Sequence, residues 1–217
     1  MHWSLWAGAQ YLLFRSGPAT SNVVEGGAFW HSGSGTVPDL QFHFLAGAGA
    51  EEGVPTVPRG TSGITLNSYN ARPKSRGTVR LRSVDPGDSP IVDPNFLAEP
   101  DDLKTSVEGV RISREIFSQP SLRKHIRTVH YPESNVRTKE EFAAYARQYG
   151  RTSYHPTCTC KMGKGEFAVI DPELRVYGLD GLRICDSSAM PSLIGSNTNA
   201  PTIMIAEKAA HMIRGSR

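Results

Sequence analysis

The last third of the chain constrains its fold most tightly. Leu182-Arg183-Ile184-Cys185 reads as a short apolar strand ending at Asp186. From Pro201 to Ile213, apolar residues recur at helical spacing (Ile203, Ile205, Ala206, Ala209, Ile213). Pro201 stands in the first turn of that helix and Gly215 just past its end, the asymmetry that helix termini favour. Between strand and helix runs a polar loop, Ser187-Ser188-Ala189-Met190-Pro191 and then Gly195-Ser196-Asn197-Thr198-Asn199-Ala200. A strand leading through a loop into a helix start offers unpaired backbone N–H groups and the positive end of the helix dipole, which suits a cofactor or an anion. On local grounds alone Asn199 is a good N-cap for the helix.

A second loaded stretch precedes it: Ser153-Tyr154-His155-Pro156-Thr157-Cys158-Thr159-Cys160-Lys161-Met162-Gly163. Pro156 fixes its own φ and pushes His155 toward an extended conformation. The order His155-x-x-Cys158-x-Cys160 has a metal-like look, but no second Cys/His pair completes a four-ligand site, so no metal is expected. Three cysteines are too few for a disulfide framework, and small buried thiols in a reducing cytoplasm are the expectation.

Composition excludes several classes. With 24 basic against 21 acidic residues spread along 217 positions, the net charge of +3 gives no ground for nucleic-acid binding. No apolar run is long enough to span a bilayer, and the first residues lack the basic flank and cleavage site of a signal peptide.

The earlier chain reads as strands followed by helices. Residues 1–35 begin with an apolar helical pattern (Trp3, Trp6, Ala9, Leu12, Leu13) stopped at Ser16-Gly17-Pro18, followed by an irregular passage of glycines around Phe29-Trp30-His31. Pro38 to Leu45 alternates as a strand, with His43 on the face opposite Phe42 and Phe44 and expected to be half-exposed. Residues 46–61 read as a mobile loop, and Ile64 to Tyr69 as another strand. Arg72-Pro73-Lys74-Ser75-Arg76-Gly77 is a basic turn into a charge-protected hairpin edge at Thr78–Arg82. Pro90 to Pro94 is a short extended piece. Asp101 to Phe117 is a helix that buries Leu103, Val107, Val110 and Phe117, with Asp101 as its cap. A second helix starts at Thr138, where Thr138-x-x-Glu141 is a capping box, and stops at Gly150.

Taken together, several pieces resemble the glucose–methanol–choline (GMC) flavoprotein oxidoreductases, and most nearly their choline dehydrogenase-like alcohol dehydrogenases. The matching residues are Tyr154 to Gly163, Val169 to Gly178, Gly181 to Pro191 and Asn197 to Thr202, with Arg72 to Val79 and Ile91 to Phe96 upstream. The resemblance covers nearly the whole chain. Family members are roughly twice as long and begin with a Gly-x-Gly-x-x-Gly turn for the ADP part of FAD, which this sequence lacks.

The resemblance implies an α+β fold: a mostly antiparallel sheet flanked by helices as a substrate-binding portion over residues 1–150. Residues 151–217 would be a C-terminal segment that completes an FAD-binding domain with a strand and a helix. It implies FAD as cofactor and oxidation of a CH–OH group by proton abstraction and hydride transfer to flavin N5. His155 would take the proton, since imidazole titrates near neutrality. Asn199 would face the substrate oxygen beside it. Asp186, Ser187, Asn197, Pro201 and Thr202 would lie along the cofactor. The partners implied are a small-molecule alcohol, an electron acceptor and an N-terminal FAD-binding half. The compartment implied is the cytoplasm, with the whole enzyme able to sit peripherally on a membrane. The alternative is a catalytically inactive binding or assembly module derived from such an enzyme. A chain without the other half should expose an apolar face near Trp3, Trp6 and the last helix.

Overall fold

The computed structural model describes residues 5–33, 35–49, 57, 58 and 61–215. Trp3, and residues 50–56, 59 and 60 of the expected 46–61 loop, lie outside them. The chain divides into two compact units, Met1–Lys74 with Leu97–Arg151, and Ser75–Phe96 with Thr152–Arg217. The segment 75–96 therefore groups with the C-terminal residues.

The first unit opens with α1 (Leu5–Phe14), an apolar helix that buries only Ala7. Strands β1 (Val24–Trp30), β2 (Leu40–Leu45) and β3 (Thr65–Asn70) form an antiparallel sheet in that order. The first part of the glycine-rich aromatic passage expected to be irregular is thus a strand, which ends at Trp30, while His31, Gly33 and Gly35 lie outside it. Its glycines and Phe29 pair in register with β2, Gly27 opposite His43 and Phe29 opposite Gln41. Sheet neighbours supply what glycine lacks in intrinsic strand preference. In β2, Leu40 and Phe42 are buried while Gln41 and His43 between and beside them are half-buried, as alternation requires, but the pattern breaks at the end of the strand, where Phe44 is half-buried and Leu45 buried.

Helix α2 (Pro100–Ser118) packs on β3 and on α4 (Lys139–Tyr149), with the short α3 (Pro120–Arg123) directly after it. Glu99 occupies the N-cap position without a side-chain cap bond, and Pro100 opens the first turn, so Asp101 is not the cap. The most buried residues of α2 are Asp102, Gly109 and Ser113, not the expected apolar four, which are half-buried. Close approach to the sheet explains this. A Cβ built on Gly109 would lie 2.8 Å from Ser68 Oγ and 3.0 Å from Leu40 Cδ2, so only glycine fits there without a shift. The buried Asp102 carboxylate accepts the Lys74 N–H at 2.8 Å and the Asn70 side-chain amide at 3.3 Å, which offsets its desolvation. Arg114 donates to the carbonyls of Val136, Pro132 (3.1 Å) and Glu133 (2.7 Å), and its guanidinium lies over the Phe142 ring.

Helix α4 carries the expected capping box. Thr138 Oγ1 accepts the Glu141 N–H at 3.2 Å, and the Glu141 carboxylate accepts the Thr138 N–H at 2.8 Å. Gly150 ends the helix with φ −65°, so it serves there by its small size rather than by a left-handed turn.

In the second unit, β4 (Thr78–Arg80) and β5 (Ile91–Asp93) form a two-stranded antiparallel ribbon. The remainder is largely loop, which packs with the last helix around Ile170, Leu174, Ala189, Met190, Ile205 and Ala209. Cys158, Met162, Ile184 and Cys185 pack against this cluster. Ile205 and Ala209, one turn apart, anchor the last helix, α5 (Asn199–Gly215), which begins two residues before the expected Pro201. Leu182–Cys185 is not a strand. It makes one isolated bridge, Arg175 to Arg183, together with bonds between Val176 N–H and Leu182 C=O and between Ile184 N–H and Leu174 C=O. Its partner is a turn-bounded loop with left-handed Leu174 (φ 66°), which stops a ladder from propagating.

Candidate active site

The stretch from Cys158 to Met162 docks on a 3-10 turn at Ser187–Ala189 through alternate residues. The N–H groups of Cys158, Cys160 and Met162 donate to the carbonyls of Ser187, Ser188 and Ala189 at 3.4, 3.0 and 3.0 Å. Side chains between those residues are left to point elsewhere, and Cys158 and Met162 join the core. Left-handed backbone at Tyr154 (φ 61°) and Cys158 (φ 70°) brackets His155 and Pro156. Non-glycine residues with such φ values cluster where surrounding structure over-determines a loop.

His155 is half-buried and held at both ring nitrogens by the residues that lead into α5. Nδ1 lies 2.9 Å from Thr198 Oγ1, and the Thr198 N–H points at the same nitrogen from 3.5 Å. Nε2 lies 2.9 Å from the Asn197 side-chain amide. Thr198 is only 7% exposed. Its carbonyl accepts both the N–H (3.1 Å) and the hydroxyl (2.7 Å) of Thr202, so Thr198 takes the cap position of α5 that local propensity gave to Asn199.

The other expected site residues are placed as follows. Asn197 is at His155, not apart from it. Asn199 is the first residue of α5, exposed, and is not among the partners of the imidazole. Asp186 caps the 3-10 turn, its carboxylate accepting the N–H and hydroxyl of Ser188. Ser187 Oγ donates to the Pro156 carbonyl at 3.3 Å. Pro201 and Thr202 lie half-buried in the first turn of α5.

The contribution of Thr198 was not legible in sequence. Reading the helix start at Pro201 put Asn199 at the cap, and only a start at 199 brings Thr198 into play. The three cysteines are free thiols of intermediate burial. Among the described residues no group of three or more His, Cys, Asp or Glu is arranged to hold a metal, and no helix is long and apolar enough to cross a membrane.

The site is a histidine in a Pro-bounded loop, clasped by the N-terminal end of a long helix, within an α+β chain. The chain belongs to the GMC oxidoreductase family, whose model matches residues 73–206. It is 45% identical over 204 residues to an alcohol dehydrogenase [acceptor] of Pseudomonas putida, covering 94% of this chain and 37% of that protein. It is 42% identical over 219 residues to an oxygen-dependent choline dehydrogenase of Sinorhizobium fredii, covering 99% of this chain and 39% of that protein. The chain thus spans less than two-fifths of these relatives' length. Among solved structures it is similar to pyridoxine 4-oxidase from Mesorbium loti, with TM-score 0.80, 28% identity, and coverage of 89% of this chain and 38% of that one. It is also similar to a formate oxidase of Aspergillus oryzae solved in a study of FAD modification, with TM-score 0.86, 25% identity, and coverage of 98% and 41%.

The residues present suit one end of such a cofactor. Asn199 and Ala200 open a 17-residue helix, and the N–H groups of a first turn have no acceptor within the helix. Those donors and the dipole behind them fit the acceptor-rich edge of an electron-withdrawing ring. For a pyrophosphate the sequence has no Gly-x-Gly-x-x-Gly turn, and the Asp186 carboxylate would repel one.

Proposed function

We propose that this chain supplies the proton-handling residues of an FAD-dependent oxidoreductase acting on CH–OH groups. The observation that carries the reading is the clasp on His155, a lone imidazole fixed at both nitrogens by Asn197 and Thr198 at 2.9 Å. FAD, when bound, supplies the hydride acceptor. The part of the chain is to bind the alcohol, orient it and take its hydroxyl proton at His155 Nε2. The Asn197 amide marks where a hydroxyl would sit. Asn199, one turn-start away, would hydrogen-bond the developing alkoxide without titrating. Asp186, Ser187, Asn197, Pro201 and Thr202 would line the cofactor. The first-turn N–H groups of α5 would favour negative charge on the reduced ring, by roughly 0.3–1 kcal/mol if exposed and up to about 2 if partly buried. A positioned base of this kind contributes about 10²–10⁴-fold.

In this reading residues 1–150 are the substrate-binding portion and 151–217 complete the cofactor domain. The substrate is a small alcohol, with choline and simple primary alcohols the first to test because of the relatives' names. A second reading, an inactive binding or assembly module, draws on the short span of the chain relative to those relatives.

The test is a visible absorption spectrum of the purified chain after incubation with FAD and gel filtration. A retained flavin band, bleached by alcohol in the wild type and about 10²-fold more slowly or not at all in His155→Ala, supports the enzyme reading. A retained band that the wild type and His155→Ala bleach equally would remove His155 from the chemistry. No retained flavin would favour the second reading for this chain alone.

A further inference from the structure

A base at Nε2 must begin without a proton there, so the neutral ring must carry its proton on Nδ1. Something must then accept that proton's hydrogen bond. Thr198 Oγ1 lies 2.9 Å from Nδ1, and it is a hydroxyl, which can accept. At the other end Asn197 presents Nδ2, a donor, to Nε2 at 2.9 Å, which also calls for a lone pair on Nε2. Both short contacts are compatible with that tautomer.

A third contact speaks the other way, because the Thr198 N–H points at Nδ1 from 3.5 Å. At that length an N–H···N contact is at the limit of a hydrogen bond, and the two contacts at 2.9 Å outweigh it. The side-chain amide of Asn197 could turn over and suit the opposite tautomer at no cost in heavy-atom position.

We propose that Thr198 is the positioning residue of the site, its hydroxyl holding His155 as the Nδ1–H tautomer and so leaving the lone pair of the ring on Nε2. The inference rests on the proposed role of His155 as base. Thr198 suits the task. It is buried, its carbonyl is held twice by Thr202, and it caps a helix anchored in the core by Ile205 and Ala209. Its hydroxyl therefore has little room to drift. No titratable partner is needed, in contrast with sites where a carboxylate orients the base.

The experiment uses the whole 217-residue chain labelled with 15N-histidine, without flavin or alcohol, read by long-range proton–nitrogen correlation at a pH where imidazole is neutral. His155→Gln assigns the signals by loss. The expected result is a pyrrole-type Nδ1 and a pyridine-type Nε2 for His155 in the wild type and in Thr198→Ser. In Thr198→Val, which keeps the shape and removes the hydroxyl, the pattern should shift toward a mixture or the opposite tautomer. A pyridine-type Nδ1 in the wild type would overturn the proposal, as would an unchanged pattern in a folded Thr198→Val. If Thr198→Val fails to fold, the wild-type and Thr198→Ser spectra still decide. Because the readout contains no reaction, an Nδ1–H ring in a protein whose His155→Ala form still bleaches flavin would sink the catalytic role alone. In flavin-loaded protein, Thr198→Val should slow bleaching by about tenfold or more, with Thr198→Ser close to wild type.

Discussion

At the scale of single residues, close packing overrides local preference. Glycine in the middle of a helix usually costs about 1 kcal/mol against alanine, so Gly109→Ala would stabilise an isolated α2. In the folded chain the added methyl would meet Ser68 and Leu40 at 2.8–3.0 Å, and overpacking of this kind costs about 1–3 kcal/mol. The packing term wins. Gly109→Ala should lower the urea midpoint, and Gly109→Val should lower it further. A rise in the midpoint with alanine would mean that the helix moves off the sheet without penalty. The same scale shows why His155 could be picked out in sequence while Thr198 could not. A histidine before a proline in a motif-rich stretch announces itself, whereas a threonine 43 residues away becomes its partner only through the fold.

At the scale of elements, α4 was legible because every signal for it is local. Thr138, Glu141 and Gly150 mark both ends within thirteen positions, and the capping box forms as the spacing requires. Thr138→Ala should cost about 0.5–2 kcal/mol in urea unfolding. The box also carries a pH signature. The backbone N–H groups of Thr138 and Arg137 hold the Glu141 carboxyl below its usual range. A carboxyl lowered in the folded state contributes stability above its unfolded pKa, near 4.3, and that contribution is lost as pH falls through the folded value. Urea midpoints of wild type and Glu141→Gln should therefore differ at neutral pH and converge as pH falls through the folded carboxyl's lowered value. By contrast β1, α3 and the Leu182–Cys185 bridge could not be read from local sequence. β1 is a strand because β2 pairs with it, and Leu182–Cys185 is not one because its neighbour is a loop.

For the whole molecule, the described surface carries an apolar excess. In α1, Leu5, Trp6, Leu12, Leu13 and Phe14 are 69–97% exposed, and Ile203 and Met204 on α5 are more than half exposed. Exposed apolar surface on this scale drives self-association or dye binding in isolated chains. Exposed apolar side chains are thus found, as expected, at Trp6 in the first unit and on the last helix in the second, each within its own unit. Replacing Leu12 and Leu13 together by glutamate should reduce light scattering and dye fluorescence at equal concentration while leaving the melting temperature nearly unchanged. A large fall in melting temperature would instead show that those side chains are covered in solution. The division into Met1–Lys74 with Leu97–Arg151, and Ser75–Phe96 with Thr152–Arg217, belongs to this scale too. Nothing in composition announces that 75–96 leaves one unit for the other.

The sequence alone determined the strands β2 and β3, the helices α2, α4 and α5 to within a few residues, the candidate base and the family, because each rests on periodicity, caps or contiguous motifs. Tertiary structure decided which residue caps α5, which face of α2 is buried, that the first part of a glycine-rich passage is a strand, and that Asn197 and Thr198 grip His155. Those outcomes depend on contacts between residues far apart in the chain, where close approach and unpaired backbone groups set the energy and local propensity is too weak to oppose them.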